Sequence, residues 1–164
     1  MNALLDTIGA SAVGTFMATN PIAFPVVETI HVMAITAVIG FILIVDLRLI
    51  GIASQRYSVS GLARTLLPST WIAFCIAVIT GSLLFSSNPS TYAGNFAFQM
   101  KLGLIAAAGL NMLLFHLVTM RSIAQWDHAA RLPAAARGAG LASILIWIFV
   151  AGFGRWVGFT IAPF

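Results

Sequence analysis

Two ionisable side chains lie near the start of the most apolar stretch of the chain, residues 25–51. Glu28 and His31 are three residues apart, which places both on one face of a helix. An ionisable group in hydrocarbon costs about 3 kcal/mol, so each needs a partner or a function. A histidine there can ligate a haem iron or another metal, or it can hydrogen-bond to Glu28 or a backbone carbonyl and steady a helix bundle. We therefore expect the functional site on this helix.

Two cations are expected at the depth of His31. A helix rises ~1.5 Å per residue, so His31 lies ~9 Å inward from Pro25. Lys101 and Arg155 lie at similar depths in two later apolar stretches. We expect these groups to converge in the outer half of a bundle, with Glu28 paired to Lys101 or Arg155.

Asp46 and His116 lie toward the other end of their apolar stretches. We expect Asp46 to pair with Arg48 or Arg121 near the membrane interface. His31 and His116 are separated by ~15 Å along the membrane normal on the basis of helix rise. Two ligands of one iron each need to lie at about 2 Å from it. His116 is therefore a weaker candidate ligand, and it would need a site of its own.

A b-type haem in a helical bundle needs a neutral imidazole, an apolar slot and cations for its propionates. His31 would supply the imidazole, and Lys101 and Arg155 the cations. Small residues that could open the slot are Gly40, Gly81, Gly103, Gly109, Gly152 and Gly154. The pattern favours a membrane electron-transfer protein of the b-type cytochrome kind, with haem held near the periplasmic face through His31.

The alternatives are membrane proteins without haem. A copper site could use His31 with Met33 or Met100. Glu28, His31 and Lys101 could instead serve proton or ion transport. Glu28-x-x-His31 also resembles the pairing of di-iron bundles. Those bundles need several further inward-facing carboxylates, and the spanning stretches of this chain have only Asp46 left.

The composition sets the class of protein that must position these residues. Of the 164 residues, 60% are hydrophobic and 7% are charged, and the mean hydropathy is +1.03. About a quarter of the residues in a soluble domain are charged, so this is a membrane protein. We expect one membrane domain over residues 1–164, bound to the lipid bilayer and not to nucleic acid. The single cysteine, Cys75, excludes an internal disulfide and covalent CxxCH haem attachment.

The apolar stretches predict an all-α fold, an integral membrane four-helix bundle. Residues 3–18 are expected to form an amphipathic helix on the membrane surface. Spanning helices are expected over residues 26–49, 68–86, 98–120 and 139–159. Pro68 is expected to open the second of them, because proline favours the first helical turn.

Arginine is concentrated in and beside two of the predicted connections. These residues are Arg48, Arg56, Arg64, Arg121, Arg131 and Arg137. Positively charged loops stay on the cytoplasmic side, so both termini are predicted to face the periplasm across a bacterial inner membrane. Small-residue faces favour a homo-oligomer. Quinol or a periplasmic redox protein would be the redox partner.

Several segments of the chain resemble a family of small bacterial four-helix inner-membrane proteins. They are P-x-x-E-T-I-H and G-F-I-L-I-V-D-L-R-L-I-G within 25–51, P-S-T-W at 68–71, T-G-S-L-L-F at 80–85, F-Q-M-K at 98–101 and G-R at 154–155. That family is similar in architecture to membrane b-type cytochromes and copper-resistance D-type membrane proteins. The resemblance implies a haem bound through His31. The second ligand stays open among Lys101, Met100, a residue of a partner subunit and an open sixth position.

Overall fold

The structure is a computed structural model that describes residues 2–53, 56–129 and 132–161; Arg131 therefore lies outside the described residues. Within these ranges the chain is helical and no strand is present. The helices are α1 (Asn2–Gly9), α2 (Ala12–Thr19), α3 (Ala23–Ile50), α4 (Val59–Ser87), α5 (Pro89–Gly94), α6 (Phe96–Leu114) and α7 (Ala134–Ile161). A π-helical turn, Phe115–Thr119, and a 3₁₀ turn, Met120–Gln125, continue α6.

Four helices are long and apolar enough to cross a membrane: α3, α4, α6 with its extension to Gln125, and α7. This confirms the prediction of an all-α chain with four such helices and indicates a multi-pass membrane protein. In the described part of the chain, the most apolar stretch of the α6 segment has no buried residue. Its large side chains point outward, where lipid would cover them.

The helices pack in the sequence α4, α3, α7, α6, with α3 lying against both α4 and α7 and with α6 lying against α7. The contacts between them use small side chains. Ala34 of α3 and Ala73 and Ala77 of α4 are buried, whereas most large apolar residues are exposed. Membrane helices approach closely through small residues in this way.

The second spanning helix begins earlier than the sequence predicts. Ser58 caps α4, its hydroxyl oxygen accepting a hydrogen bond from the Gly61 N–H at 3.0 Å. The prediction that Pro68 opens the helix is wrong, because Pro68 lies inside α4. Membrane helices tolerate internal proline, since neighbouring groups satisfy the freed carbonyl.

The N-terminal segment forms two short helices in place of the one expected over residues 3–18. Ser11 separates them and caps α2, accepting from the Gly14 N–H at 3.0 Å. Gly14 lies directly against α4: a Cβ at this position would be 2.7 Å from the Ser86 carbonyl oxygen. The buried Met17 also faces inward. The segment is thus packed onto the end of α4.

The two connections that carry the arginines meet at one end of the bundle, here called the arginine end. Arg48 lies at its centre, 1% exposed. Its Nε donates to the Tyr57 carbonyl at 2.9 Å and its Nη2 to the Asp127 carbonyl at 3.4 Å. One side chain therefore ties both connections to α3.

A second link at the arginine end joins Asp127 to the start of α4. The Asp127 carboxylate accepts hydrogen bonds from the Ser60 N–H, at 2.8 Å, and from the Ser60 hydroxyl. An apolar cluster lies beside this link and contains Leu49, Val59, Trp126, Leu132 and Ala136. Burial opposes ionisation of Asp127, but its hydrogen bonds with Ser60 outweigh this and lower the pKa of the carboxyl group.

Candidate functional site

His31 lies between α3 and α4, where one of its nitrogens is held by Thr80. Its Nδ1 is 3.0 Å from Thr80 Oγ1. The Thr80 hydroxyl has a single proton, and it donates this to the Ile76 carbonyl at 2.7 Å. His31 Nδ1 is therefore the donor in its contact with Thr80. The tautomer that follows has its proton on Nδ1 and a lone pair on Nε2, which is the arrangement of a metal-ligating histidine.

The imidazole ring of His31 lies directly over Gly81. A Cβ at position 81 would be 2.9 Å from His31 Cε1 and 3.4 Å from Nδ1. Any larger residue at this position would push the ring away from Thr80. Gly81, one of the glycines expected to open a slot, thus makes room for the ring of His31 itself.

Lys101 is brought close to His31, as the sequence predicts. The charge of Lys101 interacts with His31, and the Lys101 side chain lies along α7, where a Cβ at Gly154 would be 3.7 Å from Nζ. Lys101 as a whole is half-buried. Arg155 is next in sequence to Gly154 but is exposed, and its guanidinium lies over the Phe159 ring at 4.6 Å. Only Lys101 of the two cations faces His31.

Glu28 is exposed and lies near Tyr92 of α5. Burial, and to a lesser extent the negative charge of Glu28, raise the pKa of Tyr92. For the residues that the structure describes, the expected ion pair of Glu28 with Lys101 or Arg155 is not formed. Glu28 faces the end of the bundle, one turn above His31.

Three aromatic rings, one each from α4, α5 and α6, pack against one another. Phe85 and Phe98 stack with ring centroids 5.6 Å apart, and Tyr92 contacts both, at 6.2 Å from Phe85 and 5.6 Å from Phe98. The cluster therefore joins α4, α5 and α6 through one side chain from each. Aromatic contacts of this kind add to the stability gained from burial alone.

Asp46 and His116 lie elsewhere, lining a cavity toward the arginine end. Asp46 was expected to pair with an arginine, and this prediction is wrong. Its carboxyl group is hydrogen-bonded to the Ser143 hydroxyl, and Arg48 binds backbone carbonyls instead. Residues two apart point to opposite sides of a helix, which explains why Asp46 and Arg48 do not meet.

His116 is exposed and belongs to the π-helical turn. Its Nδ1 is 2.8 Å from the Met112 carbonyl oxygen, which can only accept, so the proton is on Nδ1 and Nε2 is free. His31 contacts Thr80 and Gly81, and His116 lies beside Met112 and Met120. The two histidines therefore have separate surroundings, in agreement with the separation expected from helix rise.

Sequence reasoning missed the residues that position these groups. Thr80 and Ser143 are ordinary polar residues in apolar helices, and their partners lie far away in the chain, 49 residues away for Thr80. The T-G pair at 80–81 is the only signal that could have pointed to a contact with His31. No group of three or more His, Cys, Asp or Glu residues able to hold a metal ion occurs in the described ranges.

Comparison with known proteins identifies a family whose function is unknown. A model described as "Family of unknown function (DUF6644)" matches residues 4–160. No curated protein and no solved structure matches the chain. The match provides no link to cytochromes or to copper-resistance proteins. The chain belongs to the DUF6644 family.

Proposed function

We propose that this protein is a membrane electron-transfer protein that holds a b-type haem through His31. The observation that carries the proposal is the contact of 3.0 Å between His31 Nδ1 and Thr80 Oγ1. With the Nδ1 proton in this hydrogen bond, Nε2 keeps its lone pair. An imidazole fixed in this tautomer is the usual axial ligand of haem iron in helical bundles.

A di-metal site at His31 has no support in the described ranges. Such sites need several inward-facing carboxylates, and no group of three or more His, Cys, Asp or Glu side chains able to hold a metal ion occurs there. Haem needs one protein ligand at minimum, because the porphyrin supplies four nitrogens. A haem bound here would supply one-electron redox chemistry.

Each neighbour has a definite role in this proposal. Thr80 fixes the tautomer and orientation of His31, and Gly81 leaves room for its ring. The half-buried Lys101 would bind a propionate, since its charge already lies close to His31. Arg155 and Glu28 are exposed at the same end and would contact the cofactor only at its polar edge.

The absorption spectrum of the purified protein tests this proposal. We expect a Soret band in the isolated protein that is lost in His31→Ala and shifted or weakened in Thr80→Val, which lacks the hydroxyl. His128→Ala is the matched control, because His128 is exposed in a connection. Protein that is colourless after expression with added haem precursor would contradict the proposal, as would a band that survives in His31→Ala.

We also propose a bacterial inner-membrane location with both termini periplasmic. The supporting observation is the distribution of the exposed arginines in the described ranges. Apart from Arg155, they all lie at or near the arginine end: Arg56, Arg64, Arg121 and Arg137. In this orientation α1 and α2 would lie at the periplasmic surface, with their exposed apolar side chains in the headgroup region. The outward apolar faces favour a homo-oligomer, with quinol or a periplasmic protein as the redox partner.

A further inference from the structure

A cavity of about 160 Å³ occupies the half of the bundle toward the arginine end. Its lining comes from α3, α4 and α7, and from α6 with the turns that continue it. Almost all of the lining is apolar, and four of its side chains are large aromatics: Trp71, Phe74, Phe115 and Trp147. An apolar cavity of about 150 Å³ is large enough to hold a benzene ring. This cavity therefore has room for one ring of a ligand.

Asp46 lines this cavity, and its carboxyl group lacks a full set of hydrogen-bond partners. Asp46 lines the cavity, is 5% exposed, and has no hydrogen-bond partner at Oδ2. Its one side-chain partner is Ser143. Buried polar atoms in native proteins are almost always hydrogen-bonded, and an unsatisfied one costs about 1–3 kcal/mol. A ligand that donates a hydrogen bond to Oδ2 would remove this cost.

His116 supplies a second acceptor in the same cavity. Its Nδ1 proton is bound by the Met112 carbonyl, so Nε2 presents a lone pair. The π-helical turn Phe115–Thr119 holds the ring, and π-helical turns in α-helices frequently occur at functional sites. Asp46 on α3 and His116 on the continuation of α6 thus bring acceptors to the lining of the same cavity.

We propose that this cavity binds the head group of a membrane quinol, whose hydroxyl groups donate to Asp46 Oδ2 and His116 Nε2. A quinol is a flat ring that suits the aromatic lining, and it carries two hydroxyl donors. Its apolar tail would leave between α4 and α6, where Trp71 and His116 are exposed at the surface that lipid covers. The proposal concerns binding alone and does not depend on haem at His31.

Equilibrium binding of tritium-labelled ubiquinol-1 to the protein in lipid nanodiscs, under reducing conditions, tests the proposal. We expect saturable binding of the quinol. The comparison probe is its dimethyl ether, which has the same ring and tail, two extra methyl groups and no hydroxyl donor. The loss of its disadvantage in the variants below separates hydrogen bonding from size. Each lost hydrogen bond is worth about a tenfold change in affinity, so the ether should bind at least tenfold more weakly. Equal affinity for the two probes would mean an unspecific lipid cavity and would overturn the proposal.

Two separate substitutions test whether ubiquinol-1 binds in this cavity, so the result does not depend on the folding of a single variant. Asp46→Asn and His116→Phe should each raise the dissociation constant for ubiquinol-1 about tenfold and should reduce the preference over the ether. Asp6→Asn and His128→Phe are the controls, because both residues are exposed outside the cavity. Unchanged affinity in folded Asp46→Asn and His116→Phe proteins would rule out this site. A parallel titration of His31→Ala should match the unsubstituted protein, so the result separates this proposal from the haem proposal.

Discussion

The two histidines described in detail are held in the same way, by an acceptor that binds the Nδ1 proton. Thr80 is the acceptor for His31, and the Met112 carbonyl is the acceptor for His116. In both cases Nε2 keeps its lone pair and can bind an iron or accept a proton. The difference lies in the surroundings, since His31 is half-buried between helices and His116 is exposed at the edge of a cavity.

The contact between Gly81 and His31 gives a prediction at the scale of one methyl group. Gly81→Ala should destabilise the protein by about 1–3 kcal/mol, because the new Cβ overlaps the His31 ring. Gly152→Ala is the matched control in a spanning helix, since a Cβ there meets nothing within 4 Å. Thermal unfolding in detergent measures both. In a His31→Ala background the two alanine substitutions should have similar effects, and a persistent difference would show that the ring is not the cause.

At the scale of single elements, length and hydropathy were enough to predict the four long helices, but not their ends. About 20 apolar residues identify a membrane helix whatever its neighbours are. The ends depend on local contacts: Ser58 starts α4 well before Pro68, and Ser11 divides the N-terminal segment in two. A π-helical turn that contains His116 follows Leu114, and apolar periodicity gives no sign of it.

The hydrogen bonds between Asp127 and Ser60 at the start of α4 predict how the stability of the protein depends on pH. The pKa of Asp127 is lower in the folded protein, so its ionised form stabilises the fold at neutral pH, and this contribution is lost as the pH falls below about 4. Asp127→Asn should cost about 1 kcal/mol at pH 7, as for loss of a helix cap. The difference in unfolding free energy from the unsubstituted protein should shrink toward pH 3.

The matched control for this titration is Asp6→Asn, on the exposed face of α1. Its stability difference from the unsubstituted protein should be small and should not follow the same pH course. A constant difference between Asp127→Asn and the unsubstituted protein from pH 3 to pH 7 would contradict the proposed role of the carboxylate.

At the scale of the whole molecule, the sequence predicted only part of the candidate site. The depths calculated from helix rise correctly predicted that Lys101 lies near His31 and that His116 does not, because the depth of a residue in a helix depends only on its position in the sequence. Side-chain partners depend also on how each helix is rotated against its neighbours. Glu28 therefore faces Tyr92 in place of a cation, and Asp46 meets Ser143.

The orientation of the whole bundle can be tested with cysteine labelling. In a Cys75→Ser background, Thr91→Cys on α5 and Gln125→Cys at the arginine end both introduce exposed thiols. A membrane-impermeant maleimide added to spheroplasts should label the first and should label the second only after the membrane is opened. The reverse pattern would place the termini in the cytoplasm.

The position of Arg48 has a consequence for biogenesis. Its two backbone acceptors are not synthesised together: the Tyr57 carbonyl follows 9 residues later and the Asp127 carbonyl 79 residues later. At translation rates of about 5–20 residues per second, the second acceptor emerges from the ribosome on the order of ten seconds after Arg48. During that interval the α3–α4 hairpin holds an arginine whose final set of acceptors is incomplete. Until then water at the lipid–water boundary solvates that part of the guanidinium, so Arg48 reaches its final set of hydrogen bonds only once Asp127 is in place.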